Sequence, residues 1–323
     1  MVVAILFCHH TFRFQKNDAA TNVRQVTHKP EQDPYMKLQH TAIALALIAA
    51  TLNVQAHEDE ESPVKFKPGM RYGDSSSMGN GRFTAYTKIS PKGKPEAVGV
   101  EFHESTLQNL PHHPLNDGKT CLDLNRDDQI DDHEECVGGH SRTLYFDPNP
   151  SQFKSITINW EAHGHVPAQV YDRPHFDFHF YTIPDTERLA VITGDCPGLT
   201  NCAIEAKAKN PVAPQYVHRD MFNTNLVYAH MGNHYADATA PEFNGGTFTN
   251  TFILGTFDGR ITFYEPMMSK DYLDSKPDDC LPVKQPAAVQ TDGWYPTQYC
   301  TRYNEKNKTY RISFESFTYR KGS

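Results

Sequence analysis

The sequence predicts a mainly β fold, either an antiparallel β-sandwich or a β-barrel, with a few short helices. Aromatic and β-branched residues alternate with polar residues in short runs, turn residues separate these runs, and helical patterns are scarce. The pair Asp258-Gly259 lies between two apolar runs and predicts a hairpin, since both residues tolerate the positive φ of a tight turn. We therefore expect a single β-rich domain over residues 83–323.

Seven segments carry the strand pattern, and in chain order they are 82–89, 97–102, 155–162, 175–183, 248–257, 260–267 and 309–320. Helical character is limited to two short segments, 184–194 and 105–110. The first of these has Pro at its start and Gly at its end, which is the usual asymmetry of a helix.

The N-terminal region predicts export. Residues 36–56 combine a basic start at Lys37, a short apolar run and a small-residue end, which is the pattern of a signal peptide cleaved after Ala56. The apolar run is too short to span a membrane. Residues 1–35 would then belong to an over-extended gene model with Met36 as initiator, the alternative being a true extension before an internal anchor. The expected location is periplasmic or secreted, without a membrane span in the mature chain.

Charge and composition exclude several partners. The chain carries 31 basic and 39 acidic residues, a net charge of −8, which argues against nucleic acid as a partner. It has no basic amphipathic helix that would bind a membrane surface. Residues 57–82 are polar, without a sustained period, and predict a flexible entry segment.

Six of the seven cysteines follow the predicted signal peptide, and an even number in an exported chain predicts disulfides. Six cysteines allow 15 pairings. Proximity along the chain favours one of them, because each nearby pair encloses a polar loop, although other pairings stay open. The favoured pairs are Cys121–Cys136, Cys196–Cys202 and Cys280–Cys300.

An acidic segment resembles the twelve-residue calcium loop of EF-hands and lies in what looks like an insertion, 121–136. Calcium requires six to eight oxygen ligands, and this spacing supplies them around one point. Asp128 replaces the usual Gly of the left-handed turn, a conformation that Asp adopts more readily than most residues. The alternative is a solvated acidic loop. The predicted Ca²⁺ ligands are Asp123, Asn125, Asp127, the carbonyl of Gln129, Asp131 and Glu134.

The segment "PHFDFHFY", residues 174–181, predicts a metal site. Alternate side chains of a strand point to opposite faces, so the three Phe residues share one face and His175, Asp177 and His179 share the other. Residues two apart lie ~7 Å apart at Cα and can share an ion, whereas residues four apart lie ~13 Å apart and normally cannot. Asp177 is therefore expected to pair with only one of the two histidines.

His234 and Glu265 are the best remote ligands, because both interrupt segments that otherwise look buried. Imidazole and carboxylate ligands suit several transition metals, with Zn²⁺ the first choice. The motif "HGH" at His163 and His165 is a further patterned pair. The rival interpretation places Asp177 between hydrogen-bonded histidines without an ion.

Four segments in order, "FTAYTKISPKGKPEAVGVEF", "PHFDFHFY", "MGNHYAD" and "FILGTFDGRITFYEPM", resemble an exported bacterial domain family of unknown function. This family is typified by a thermophile protein controlled by an extracytoplasmic-function sigma factor and its anti-sigma factor. The resemblance covers roughly Gly81 to Leu273 and implies a β-rich exported domain with recurrent histidine motifs and ring-like homo-oligomers. Tyr235 departs from it, since Trp is expected after the motif histidine.

The expected function is that of an exported metal-binding β protein with a calcium loop and a His/Asp/Glu transition-metal site. A first alternative is a metal-dependent enzyme, cupin-like in its logic, that acts on a small molecule. A second is a structural oligomer whose histidines fill a polar barrel interior. An open coordination position in a pocket would favour the enzyme, and a closed site would favour storage or structure.

Overall fold

Two antiparallel sheets face one another in the computed structural model, which describes residues 66–114, 128–129, 139–193 and 202–323. The predicted signal peptide and the residues before it lie outside this part. The strands are β1 (Gly69–Met78), β2 (Gly81–Ile89), β3 (Pro95–His103), β4 (His140–Tyr145), β5 (Ser155–Glu161), β6 (His175–Tyr181), β7 (Met221–Tyr228), β8 (Gly232–Asp237), β9 (Asn250–Phe257), β10 (Arg260–Ser269), β11 (Asp278–Pro282), β12 (Gly293–Tyr295), β13 (Gln298–Asn304), β14 (Thr309–Glu315) and β15 (Thr318–Arg320).

The first sheet has the order β1-β2-β3-β14-β13-β11, the second has the order β4-β5-β6-β10-β9-β8-β7, and β12 pairs with β15 alone. Both large sheets are open, so the predicted mainly β architecture is confirmed as a sandwich rather than a barrel. The described helices are short: α1 (Asp185–Leu189), α2 (Cys202–Ala208), α3 (Lys270–Asp274) and the 3-10 turns Glu104–Leu107, Pro214–Tyr216 and Pro241–Phe243. None of the helices in this part of the chain could span a membrane.

Aromatic side chains fill the space between the sheets. Phe176, Phe178 and Phe180 of β6 are fully buried on the face turned towards the first sheet. The ring of Phe176 lies 5.9 Å from that of Phe83, and the ring of Phe180 lies 4.7 Å from that of Phe314. Such edge-to-face pairs add to the free energy of burying the rings. This packing fixes β6 and turns its other face away from the core.

Each of the seven predicted strand segments contains a strand, and one of them contains two. The segment 309–320 divides into β14 and β15 at Ser316, whose φ of 55° breaks the strand. The helix predicted over 184–194 is shorter and ends at Leu189.

The prediction of a flexible entry segment over 57–82 was wrong for its second half. Residues Gly69–Met78 form β1, an edge strand paired antiparallel with β2. Half of its residues are exposed and only Met78 is buried, so the strand lacks the apolar alternation that reveals a half-buried strand. Its order comes from backbone pairing with β2, which a periodicity argument does not detect.

Candidate metal centre

The register of three neighbouring strands gathers polar side chains on the outer face of the second sheet. Strand β5 places Asn159 opposite Asp177 and Glu161 opposite His175. On the other side of β6, β10 pairs Tyr264 with Phe180 and Met267 with Asp177, which puts Glu265 beside His179. His234 arrives from β8, where it pairs with Gly255 of β9.

This outer face is buried although it lies on the side away from the sandwich core. The exposed fractions of His175, Asp177, His179 and Glu265 are 0, 2, 1 and 2%. The segment 162–174 and the edge strand β7 line a cavity over them. Burial of ionisable groups is unfavourable unless they are paired with charges, hydrogen bonds or a metal.

The five predicted transition-metal ligands divide into two groups rather than one. His179, His234 and Glu265 form the first group, here called the inner triad, whose ligand atoms lie within 4.8 Å of one another. Glu265 Oε1 lies 3.2 Å from His179 Nε2, and Glu265 Oε2 lies 3.9 Å from His234 Nε2. The sequence-based combination of His179 with His234 and Glu265 therefore corresponds to a compact set of side chains.

The second group, here called the loop triad, consists of His165, His175 and Asp177. Asp177 Oδ2 lies 3.4 Å from His165 Nε2, and Asp177 Oδ1 lies 3.1 Å from His175 Nε2. Asp177 thus pairs with His175 and not with His179. Sequence reasoning noted His165 in its "HGH" motif but did not place it here, because the path of segment 162–174 decides its position.

Hydrogen bonds fix the tautomer of three of these histidines. Each Nδ1 lies at hydrogen-bond distance from a backbone carbonyl oxygen, which can only accept, so Nδ1 carries the hydrogen. Nε2 is then left with a lone pair unless it gains a second proton. The pairs are His165 Nδ1 with Val166 O (2.7 Å), His175 Nδ1 with Arg173 O (2.6 Å) and His234 Nδ1 with Leu226 O (3.1 Å).

His179 follows the same rule through a side chain. Its Nδ1 lies 3.0 Å from Oδ1 of Asn159, and Nδ2 of Asn159 donates to Ser141 Oγ at 2.7 Å. That second bond orients the amide with its oxygen towards the ring, so His179 Nδ1 donates. All four histidines therefore direct Nε2 towards a carboxylate, the arrangement that neighbours impose on metal-binding histidines.

Four buried atoms in these triads lack a hydrogen-bond partner among the described residues: Nε2 of His175, Nε2 of His179, Oδ1 of Asp177 and Oε2 of Glu265. Lone pairs that face each other need a proton or a cation between them. Ligands ~2.0–2.2 Å from a tetrahedral Zn²⁺ lie roughly 3.3–3.5 Å from one another. Three of the four nitrogen–oxygen distances, 3.1, 3.2 and 3.4 Å, are close to this spacing.

Burial holds the inner triad in its uncharged form. Desolvation lowers the pKa of His179 to about 3 and that of His234 to about 4. Desolvation, reinforced by the negative charge of Asp177, raises the pKa of Glu265 well above its usual value. Neutral imidazoles are the form that binds metal, and a metal ion would replace the proton of Glu265.

The loop triad has the opposite electrostatic character. Burial opposes a charge on His165, but the hydrogen bond and the negative charge of Asp177 outweigh it and raise its pKa to about 9. Burial likewise opposes ionisation of Asp177, yet His175 and His165 hold its pKa well below the usual range. Beside them, burial and then Asp177 raise the pKa of Glu161 to about 8. Sequence reasoning also missed Glu161, which the pairing of β5 with β6 places opposite His175.

A cavity of about 870 Å³ lies against both triads. This volume falls within the range of sites for small organic ligands. Its polar lining includes Glu161, His165, Asp177, His179, His234 and Glu265. Most of the lining is apolar, and its apolar residues include Val166, Leu226, Met231, Phe243, Ile253 and Met267.

The predicted calcium ligands Asp123, Asn125, Asp127, Asp131 and Glu134 lie outside the described residues, while Gln129 and Asp128 lie within them. Asp128 has a φ of 61°, the left-handed conformation that this position of the loop requires.

Cys280 and Cys300 form a disulfide with an S–S distance of 2.08 Å, between paired residues of β11 and β13. Cys202 is also disulfide-bonded, and the other predicted partners, Cys121, Cys136 and Cys196, lie outside the described part.

Comparisons with protein-family models, with curated proteins and with solved structures gave no match. The geometry of the site is therefore the basis for any functional conclusion.

Proposed function

We propose that the protein binds a divalent transition metal through the inner triad, His179, His234 and Glu265. One observation supports the proposal: two buried histidines, each oriented by a hydrogen bond at Nδ1, direct Nε2 towards one buried carboxylate. Two histidines and one carboxylate form a common ligand set for Zn²⁺ and for non-haem Fe²⁺. Zn²⁺ is our first choice.

A second candidate function is a metal-dependent reaction on a small molecule. The inner triad supplies three ligands instead of the four of a structural zinc site, and it faces the cavity. An ion held there would supply Lewis-acid activation of a bound group. The protein's own residues would orient the ion and limit access of bulk water, because most of the cavity lining is apolar.

Metal analysis tests the first proposal. Protein purified from its native host without an affinity nickel column should contain a transition metal. His179→Ala and His234→Ala should each weaken its binding more than about 100-fold, beyond the 10–100-fold loss typical of residues that only orient a ligand. His218→Ala is the matched control, because His218 is half-buried beside Asp220 and is not among the residues that line the cavity. Unchanged metal affinity in both triad variants would refute the proposal.

We also propose that the chain is exported and binds Ca²⁺ through the 123–134 loop. The Cys280–Cys300 disulfide is compatible with an oxidising compartment. Calcium sites of extracellular modules bind at ~10⁻⁴ to 10⁻³ M, so a titration belongs in the millimolar range. Glu134→Gln should weaken binding by removing a bidentate carboxylate, and the absence of any calcium response in the wild type would refute the site.

The resemblance to the exported family under sigma-factor control remains a proposal, as does the homo-oligomer that it implies. The apparent mass of the purified protein in sedimentation tests the oligomer. A ring-like assembly without bound metal would favour the structural role over the two metal-dependent functions.

A further inference from the structure

We infer that the loop triad, His165, His175 and Asp177, binds a second divalent ion of the zinc type. This ion would fasten the segment 162–174 over the cavity. The inference is independent of the proposed ion at the inner triad, since the two triads share no residue.

The spacing along β6 separates the two positions. His175 and His179 lie four residues apart on one strand, which places their Cα atoms ~13 Å apart. Each turns Nε2 towards a different carboxylate, His175 towards Asp177 at 3.1 Å and His179 towards Glu265 at 3.2 Å. A single ion cannot bind both histidines, so an ion at the loop triad would be separate from an ion at the inner triad.

Two unpartnered atoms point to a ligand in the loop triad. Nε2 of His175 and Oδ1 of Asp177 are buried and lack a hydrogen-bond partner among the described residues, although they lie 3.1 Å apart. His175 commits its Nδ1 hydrogen to Arg173 O, and His165 commits its own to Val166 O. Nε2 of each ring therefore faces one of the two oxygens of a single carboxylate, as ligands around one ion do.

His165 makes this position structurally distinct. Its side chain is 32% exposed and belongs to the segment that lines the cavity, whereas His175 and Asp177 are buried in β6. An ion bound by all three would link the segment to the sheet. Local opening of that segment should then become rarer when the ion binds, because a metal bond must break each time.

Metal stoichiometry tests the second ion. Metal-free protein titrated with Zn²⁺ should take up about two ions per chain, and His165→Ala should take up about one. His163→Ala is the matched control, since His163 lies two residues away on the same segment and borders the same cavity. His165→Ala alters a partly exposed residue and is expected to fold, which circular dichroism would verify.

Hydrogen exchange tests the fastening. Zn²⁺ should slow the exchange of amides in 162–174 by roughly tenfold or more in the wild type and in His163→Ala, but not in His165→Ala. Equal zinc uptake by wild type and His165→Ala would overturn the second site. If His165→Ala takes up one ion fewer but Zn²⁺ slows amide exchange in 162–174 as much as in the wild type, the ion does not hold this segment over the cavity.

The outcomes also separate this inference from the proposed inner site. If His165→Ala binds one ion fewer and His179→Ala binds as many as the wild type, the loop triad binds metal and the inner triad does not. The reverse pattern would reject the loop triad and leave the inner triad standing. If Asp177 is instead paired with the protonated imidazolium of His165, no second ion should bind. Zn²⁺ would then bind at this position at no concentration lower than the one at which nonspecific binding begins.

Discussion

His179 Nε2 and Glu265 Oε1 lie 3.2 Å apart in a buried site, and His179 already donates its Nδ1 hydrogen to Asn159. A single species must therefore lie between the two atoms, either the proton of the Glu265 acid or a metal ion. Burial favours neutral forms of both groups, so the metal-free site holds the proton and the loaded site replaces it.

Glu265→Gln should abolish the replacement of this proton by a metal ion. The amide has nearly the shape of the protonated acid. The free energy of unfolding of the metal-free variant should therefore differ from that of the wild type by less than about 1 kcal/mol. It cannot become an anion, and zinc affinity should fall more than about 100-fold, beyond the effect of losing an orienting residue. Isothermal titration and chemical denaturation of metal-free protein measure the two effects. A variant that retains wild-type affinity would show that Glu265 is not a ligand.

Asn159→Ala should weaken metal binding indirectly. Asn159 is buried and accepts the Nδ1 hydrogen of His179, which orients the ring. Loss of such a partner costs roughly 10–100-fold in metal affinity. Thr157→Val removes a buried hydroxyl on the same face of β5 and serves as the control, with affinity within about threefold of wild type. Equal losses in both variants would indicate general damage to the sheet rather than loss of orientation.

Glu161→Gln should change how stability depends on pH. The pKa of Glu161 is raised to about 8 in the folded protein from 4.5. Between these two pH values the folded wild type therefore keeps a proton that the unfolded chain releases. The contribution of Glu161 to the free energy of unfolding is fully present below about pH 4.5 and is lost as the pH rises through 8. The variant lacks this decline.

Metal-free Glu161→Gln should consequently be more stable than the wild type at pH 7, by on the order of 3 kcal/mol, and about equally stable near pH 4.5. Urea denaturation at both pH values, in the presence of a chelator, measures the difference. A variant that is equally destabilised at both values would mean that Glu161 is held as an anion by partners that the amide cannot keep.

Phe314→Ala should destabilise the sandwich by about 3–5 kcal/mol, the usual cost of emptying a large buried aromatic site. Phe314 is fully buried on β14, and its ring lies 4.7 Å from that of Phe180 and 5.1 Å from that of Phe153. Tyr72→Ala is the control, because Tyr72 is 50% exposed on the edge strand, and should cost less than about 1 kcal/mol. Similar losses of unfolding free energy in both variants would contradict the proposed core.

The sequence could predict the sheet face of the site but not its covering. Alternation along β6 separates the Phe residues from His175, Asp177 and His179, because a strand has a period of two whatever surrounds it. The remote ligands His234 and Glu265 were inferred from polar residues in apolar surroundings, and the inner triad brings both to His179.

The sequence did not predict that His165 and Glu161 lie at the site, and the physical reasons differ. The position of His165 depends on the path of an irregular segment, which has no period. Glu161 ends a strand whose register against β6 only the fold reveals. Strand β1 escaped because its stability lies in backbone pairing at a sheet edge and not in an apolar face.

Metal binding by the inner triad can be tested by anomalous X-ray diffraction at the zinc absorption edge. The crystals would be grown from metal-free protein and then exposed to Zn²⁺. We expect a strong peak ~2.0–2.2 Å from Nε2 of His179, Nε2 of His234 and a carboxylate oxygen of Glu265. A map with no peak at these atoms at full zinc exposure, or with zinc only at surface residues, would contradict it.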